Sequence, residues 1–258
     1  MRKFSGVIIT YNEAKHIERC LQSLMPVVDE IIVVDSYSTD ETKSICLKHQ
    51  VNFIEQEFLG YVEQKNFALT QAKYDYIVAL DGDEALSEEL QNSILNLKNN
   101  WKFDGYYCNR LNFFCGQWIK YSDWYPSKKL RVFDRKKANW EGDKIHENVK
   151  LSMRTRSGNL KGDILHYTYQ SYSEFNLQTE KFSSLSAQEY FEKEKKAPYW
   201  KIIWNPLWAF FKAYVLRLGF LDGLNGLVIC YQTGNITFLK YIKLRELYKN
   251  TNHKTSKT

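Results

Sequence analysis

The chain is predicted to be an α/β protein, a sheet with helices packed on it followed by a C-terminal helical appendage. Three observations predict this. Short apolar runs alternate with helical periodicities over roughly the first 100 residues. After about residue 103 the pattern changes to strand-like segments joined by loops rich in Trp, Tyr, Lys and Gly. A helical stretch rich in Glu, Lys and Gln, from about 173 to 195, then leads into an aromatic-apolar tail.

Gly6-Val7-Ile8-Ile9-Thr10 is a short apolar run, as expected for a buried parallel strand. Ala14, Ile17, Leu21 and Leu24 then recur at helical spacing. Glu30 to Val34 reads as a second strand, with Asp35 at its end and a Ser/Thr/Asp turn leading to a helix near 41–49. Val51 to Ile54, a helix near 62–72, and Tyr76 to Leu80 continue the alternation. Ser87 with Glu88 and Glu89 opens a helix whose apolar face is Leu90, Ile94 and Leu97. Strands alternating with helices imply a parallel sheet with right-handed crossovers. Segments 104–119, 129–134 and 149–168 read as strands of the second half. The boundaries expected are a main domain at 1–170, split near 100, a helical aromatic-rich appendage at 171–250, and a disordered tail at 251–258.

Composition narrows the class. The chain has 258 residues, 44% of them hydrophobic, which is enough for a sizeable core and argues against global disorder. The charge of +6 suits a Lys-rich solvated surface, or attraction to phosphates or anionic lipid, and nothing points to nucleic acid. Five cysteines, an odd number without a C-x-x-C spacing, suggest neither a disulfide framework nor a zinc site and fit a reducing cytoplasm. Met1-Arg2-Lys3-Phe4 runs straight into a strand-like stretch, so no signal peptide is expected. The apolar region 202–231 is interrupted by Lys212, Arg217 and Asp222 and makes a poor spanning helix.

In a doubly wound sheet, ligands bind beyond the carboxyl ends of the strands. Those ends carry Thr10-Tyr11-Asn12-Glu13, Asp35-Ser36-Tyr37-Ser38-Thr39-Asp40 and Asp81-Gly82-Asp83-Glu84. Two carboxylates one small residue apart, at Asp81 and Asp83, can share a divalent ion and a ribose hydroxyl. Hard oxygen ligands suit Mg²⁺ or Mn²⁺, which would bridge a donor's phosphates. The bland reading of Asp-Gly is a turn; its placement after a buried strand, beside two other polar strand ends, favours the site.

The segments Val7 to Glu13, Ile32 to Thr42 and Asp81 to Glu84, in this order, resemble family-2 glycosyltransferases of the GT-A fold. Trp124-Tyr125-Pro126, Leu130 to Phe133, Trp140-Glu141-Gly142 with His146-Glu147, and Gly219 to Gly223 are similar to one branch, the lipopolysaccharide inner-core glucosyltransferases that act on heptose. The resemblance implies a GT-A sheet whose first 100 residues bind a nucleoside-diphosphate sugar, such as a UDP-sugar, and whose 101–170 half meets the acceptor. Thr10, Tyr11, Asn12 and Glu13 would line the donor, with Tyr11 stacked on the base. Asp35 would accept a base N–H and Lys65 would face the nucleotide. Asp81 would hold ribose, and Asp83, Asp81 and His166 the metal.

Inverting transfer needs a base for the acceptor hydroxyl. Glu147 is expected in that role, His146 beside it, with Asp143 as the spare candidate. Asp123, Trp124, Tyr125, Arg131 and Trp140 read as acceptor-side residues, and Arg131 suits an acidic sugar or phosphate as well as it suits a structural ion pair.

The acceptor implied is a lipid-linked saccharide on the inner leaflet, with polyprenyl phosphate or another envelope glycan left open. An inactive sugar-nucleotide-binding protein is the remaining alternative, against which Asp81, Asp83 and Glu147 stand intact. Trp200, Trp204 and Trp208 share a helical face near Phe210, Phe211, Lys201 and Lys212, which suits a protein peripheral on the cytoplasmic side of a membrane as well as a packed subdomain.

Overall fold

The computed structural model describes residues 1–142 and 147–255. The chain forms two units, one of residues 1–111 and 127–167, the other of 112–126 and 168 onward.

The first unit is built on the expected alternation. Strands β1 (Phe4–Thr10), β2 (Glu30–Asp35), β3 (Asn52–Glu55) and β4 (Tyr76–Asp81) lie parallel in the order β3-β2-β1-β4. Between them run α1 (Ile17–Leu24), α2 (Thr42–Lys48) and α3 (Tyr61–Gln71). After β4 come β5 (Glu84–Leu86) and α4 (Glu88–Leu97), then β6 (Gly105–Phe114), β7 (Gln117–Ile119), β8 (Ser127–Asp134), β9 (Ala138–Glu141), β10 (Asn148–Leu151) and β11 (Ser157–Tyr169). The sheet continues beyond β4 as β8-β6-β11-β5, with β8 antiparallel to β4 and β5 antiparallel to β11. It is therefore mixed, and β9 and β10 pair separately.

The apolar alternation explains the layers. Val7 and Ile9 point to one face of β1 with Ile32 and Val34, while Phe4 and Ile8 pack on the other with Val33, Val78 and Leu80. Ile17, Leu21 and Leu24 of α1 are fully buried there, each contributing about 1.5–3 kcal/mol of transfer free energy. Ser87 caps α4 as expected, its Oγ accepting from the Leu90 N–H at 3.3 Å. It also accepts from the Asp163 N–H at 2.9 Å, which ties α4 to β11.

Several boundaries differ from expectation. The strand expected over 104–119 is a hairpin, β6 and β7, turned at Cys115 and Gly116 with φ of 44° and 89°. The strand expected over 149–168 is β10 and β11, which belong to different sheets. Residues 112–126, placed by sequence in the main domain, group with the C-terminal helices.

Those helices are α5 (Tyr172–Glu192), α6 (Tyr199–Phe211) and α7 (Gly223–Thr255), with a π-helical segment at Lys212–Leu216 and a 3-10 turn at Gly219–Asp222 before α7. The tail expected to be disordered from 251 is helical through Thr255. Asp222 anchors the second unit by accepting from the backbone N–H groups of Lys120 and Tyr121 at 3.1 and 2.9 Å.

Candidate active site

The carboxyl ends of β1, β2 and β4 open into a cleft of about 580 Å³. Its lining includes Thr10, Tyr11 and Glu13 from the end of β1, Ser36 after β2, Tyr61 and Lys65 from α3, Asp81, Gly82 and Asp83, and Glu147 and His166. Parallel pairing of β1 with both β2 and β4 puts these polar ends side by side. The Gly82 N–H donates to the Ile9 carbonyl at 3.1 Å, which fixes the Asp81-Gly82-Asp83 turn against β1. The approach is close: a methyl group at Gly82 would stand 2.8 Å from Thr10 Oγ1. That hydroxyl is buried and without a partner, a polar group free for a ligand.

Asp81 is held by two cations. Lys65 Nζ lies 2.9 Å from one oxygen, and Arg131 Nη2 donates to the other at 2.9 Å. Burial alone would raise the Asp81 carboxyl; Arg131, then Lys65, outweigh it and hold the group far below the ordinary carboxylate range. Arg131 Nη2 also donates to Glu84, which is fully buried, at 3.0 Å. Trp140 lies against both cations, 4.4 Å from Lys65 Nζ and 5.2 Å from the Arg131 guanidinium, ring centroid to charge. Lys65 also donates to Glu147 Oε1 at 3.0 Å.

Asp83 stands apart from this network and pairs with His166, Oδ2 to Nε2 at 3.0 Å. β11 delivers the imidazole there through its pairing with β5, in which His166 faces Glu84. Burial pushes the Asp83 carboxyl up, and His166 overcomes it, so the group lies below its ordinary value.

The structure thus brings together Thr10, Tyr11, Glu13, Lys65, Asp81, Asp83, Glu147 and His166. It places the other expected residues differently. Asp35 is fully buried, and its carboxylate accepts from the N–H and hydroxyl of Ser38, so it shapes the β2 loop instead of lining the cleft. Asn12 joins the β1 and β2 ends: its N–H donates to Ser38 Oγ at 2.7 Å, and its Oδ1 accepts from the Thr39 N–H at 2.8 Å.

Arg131 and Trp140, expected on the acceptor side, are buried beneath the cleft; for Arg131 the alternative of a structural ion pair is what the structure shows, as countercharge to Asp81 and Glu84. Asp81, expected as a metal ligand, accepts from Arg131 with Oδ2, while Oδ1 lies at ion-pair distance from Lys65 but without an aligned hydrogen bond. Trp124 belongs to the second unit, packed among Phe114, Tyr169 and Phe175; Tyr125 precedes Pro126 there by a cis peptide bond. Asp123 of the same unit pairs with Lys212 and Arg217. His146 and Asp143 lie outside the described residues.

Sequence reasoning missed Phe58 and Tyr61, and named Ser36 and Glu84 only as parts of the polar strand ends, with no role. Glu84 was legible as the fourth residue of the acidic turn, but its partner lies 47 positions away. Phe58 and Tyr61, ring to ring at 5.0 Å, bracket Gly60, a pairing with no periodic signature.

Residues 5–156 match the family model described as Glycosyl transferase family 2. A Rickettsia bellii protein named an uncharacterized glycosyltransferase is 31% identical over 98% of this chain and 90% of its own length. A Rhizobium meliloti protein named lipopolysaccharide core biosynthesis glycosyltransferase LpsC is 28% identical over 85% of this chain and 82% of its own. Among solved structures, Staphylococcus aureus TarS 1-349 in complex with UDP superposes with a TM-score of 0.48 at 17% identity, over 96% of this chain and 92% of that one. With its motifs seated at the carboxyl edge of a mixed α/β sheet, this chain belongs to glycosyl transferase family 2 and has the expected GT-A fold.

Proposed function

We propose that the protein transfers a hexose, glucose, from a UDP-sugar to a lipid-linked saccharide of the lipopolysaccharide inner-core type, with inversion at the anomeric carbon. The observation that carries this reading is one cleft with two separate carboxylate centres, the Asp83–His166 pair and Glu147. The name of the Rhizobium meliloti relative supports the acceptor class.

Asp83 and His166 fit a divalent ion as two of its ligands. Mg²⁺ in particular is often bound by one or two carboxylates, with phosphates and water completing its shell. Among the described residues no cluster of three metal-ligating side chains occurs, so the donor's diphosphate would supply part of the shell. The ion's chemistry there is charge stabilisation on the departing nucleoside diphosphate.

The chain's residues do the rest. Tyr11, Thr10 and Ser36 receive the nucleoside, and the Thr10 hydroxyl gains a partner. Lys65 occupies Glu147 Oε1 and leaves the second oxygen to take the proton of the acceptor hydroxyl. The new C–O bond forms as the bond to the diphosphate breaks. Asp83→Asn is expected to abolish metal-dependent UDP binding and UDP-glucose turnover while the melting temperature stays near that of the wild type. Wild-type turnover that survives a chelator would remove the metal from this scheme.

We further place the protein on the inner face of the membrane. No single helix among the described residues is long and apolar enough to cross a bilayer; α6 with its π-helical extension and α7 reach that composition only as a pair bent by 72°. Trp200, Trp204, Trp208 and Phe211 of α6 are exposed, with Lys201 and Lys212 beside them, a composition suited to the lipid interface. Flotation with anionic liposomes is expected, with partial release by high salt, which screens charge but not apolar burial. Changing Trp204 and Phe211 to Ser should weaken flotation and leave the melting curve in place. A melting curve that collapses in this variant would instead mark a packed face.

A further inference from the structure

A second cavity, of about 290 Å³, adjoins the first unit's cleft. It is bordered by Arg110 on β6, by Lys128, Lys129 and Arg131 on β8, and by Glu147 and Lys150 at β10. Because β8 runs antiparallel to β4, its first residues lie at the edge of the sheet where β4 ends in Asp81. Five cations and one carboxylate thus border the same concavity.

These cations are only partly neutralised. Lys150 pairs with Glu141 at 3.0 Å. Arg131 gives Nη2 to Asp81 and Glu84, but its Nη1 is buried without a partner. Arg110 reaches Glu84 only at 3.7 Å, and its Nε is buried without a partner as well. No ion pair among the described residues reaches Lys128 or Lys129. Burial, then the Arg110 and Arg131 charges, holds the Lys129 ammonium below its ordinary value. Like charges gathered in a partly buried wall repel, and unpaired guanidinium N–H groups remain unsatisfied, until an anion enters. The orphan donors belong to the buried Arg131 and the half-buried Arg110; Lys129 is half-buried beside them, and Lys128 and Lys150 stand exposed at the rim.

Glu147 borders both cavities. A small cavity shares the buried Lys65 with the cleft and the buried Arg131 and Trp140 with the second cavity. We propose that the second cavity is an anion subsite for the acceptor: it takes a phosphate or carboxylate carried by the acceptor saccharide and so presents a neighbouring hydroxyl to Glu147. The word acceptor rests on the transferase reading; the anion site rests on the cavity alone.

The test is calorimetric titration of the full chain with inorganic phosphate and, separately, glycolate at constant ionic strength, each with and without saturating UDP. Binding of one or both anions is expected to persist with UDP present, and the tighter of the two names the anion. Replacing Lys128 and Lys129 together by Ala should weaken it by at least about tenfold, since charge-assisted hydrogen bonds are lost, and Arg at both positions should restore it. If the Ala pair does not fold, as read by its melting curve, the Gln pair takes its place.

Wild-type protein that binds neither anion, an Ala or Gln pair with wild-type affinity, or binding abolished by UDP would overturn the proposal. The last outcome would assign the cations to the donor's diphosphate. Absence of UDP-glucose turnover would overturn the transferase reading and leave these titrations to judge the cavity.

Discussion

Glu147→Gln is expected to slow sugar transfer by about 10²–10⁴-fold, the usual loss when a general base is removed. The substitution isolates proton transfer because the amide oxygen can still accept from Lys65, which lies 3.0 Å from Oε1 in the native chain. The Lys65–Asp81 pair is untouched, so the floor of the cleft keeps its charge. UDP affinity should therefore change little while turnover collapses. Steady-state transfer alongside UDP titration measures both. Near-normal turnover would move the base to another carboxylate, with Asp143 next in line.

Arg131→Met should destabilise the fold without touching the cleft surface. Removing one member of a buried ionic network typically costs about 3–5 kcal/mol, because the partner charges stay behind. Here Lys65 still faces Asp81 and Arg110 still approaches Glu84, so about 3 kcal/mol is expected. At roughly 2–4 °C per kcal/mol for a chain of this size, the melting temperature should fall by about 6–12 °C.

The pH dependence follows from the depressed Asp81 carboxyl. A group whose folded value lies below its unfolded one contributes stability above the unfolded value, near pH ~3.9 for Asp, and loses it as pH falls toward the folded value. The gap between wild type and variant should thus narrow on acidification. A drop of less than about 2 °C at neutral pH would show that the network contributes little.

Much of the donor half could be read from the chain. β1, β2 and β4 are unbroken apolar runs, and a parallel sheet sends their polar ends to one edge by geometry alone. What escaped is what depends on partners distant in sequence. β5 is three residues long and shows no period of its own; it exists because β11 pairs with it. Arg131 reads equally as an acceptor-side cation or one half of an ion pair until Asp81 and Glu84, 50 and 47 positions away, are seen beside it. Asp35 has the composition of a ligand, yet Ser38, three residues on, already satisfies it. The break at Cys115 and Gly116 was hidden because aromatic residues on both sides continued the strand-like pattern.

Gly82 and Thr10 have a consequence for how such a sequence can change. A methyl at position 82 would stand 2.8 Å from the Thr10 hydroxyl and 3.1 Å from the Glu13 side chain. The two positions are therefore not free to mutate in either order. Alanine at 82 arriving first would meet an occupied space and force the end of β1 to yield. Loss of the hydroxyl at 10 arriving first would remove the tightest contact and leave only the Glu13 side chain and the Cβ at position 10, at 3.1 and 3.2 Å, to give by a few tenths of an ångström. The path between the two states has a direction, and its intermediate is a protein whose nucleotide cleft lacks one hydroxyl.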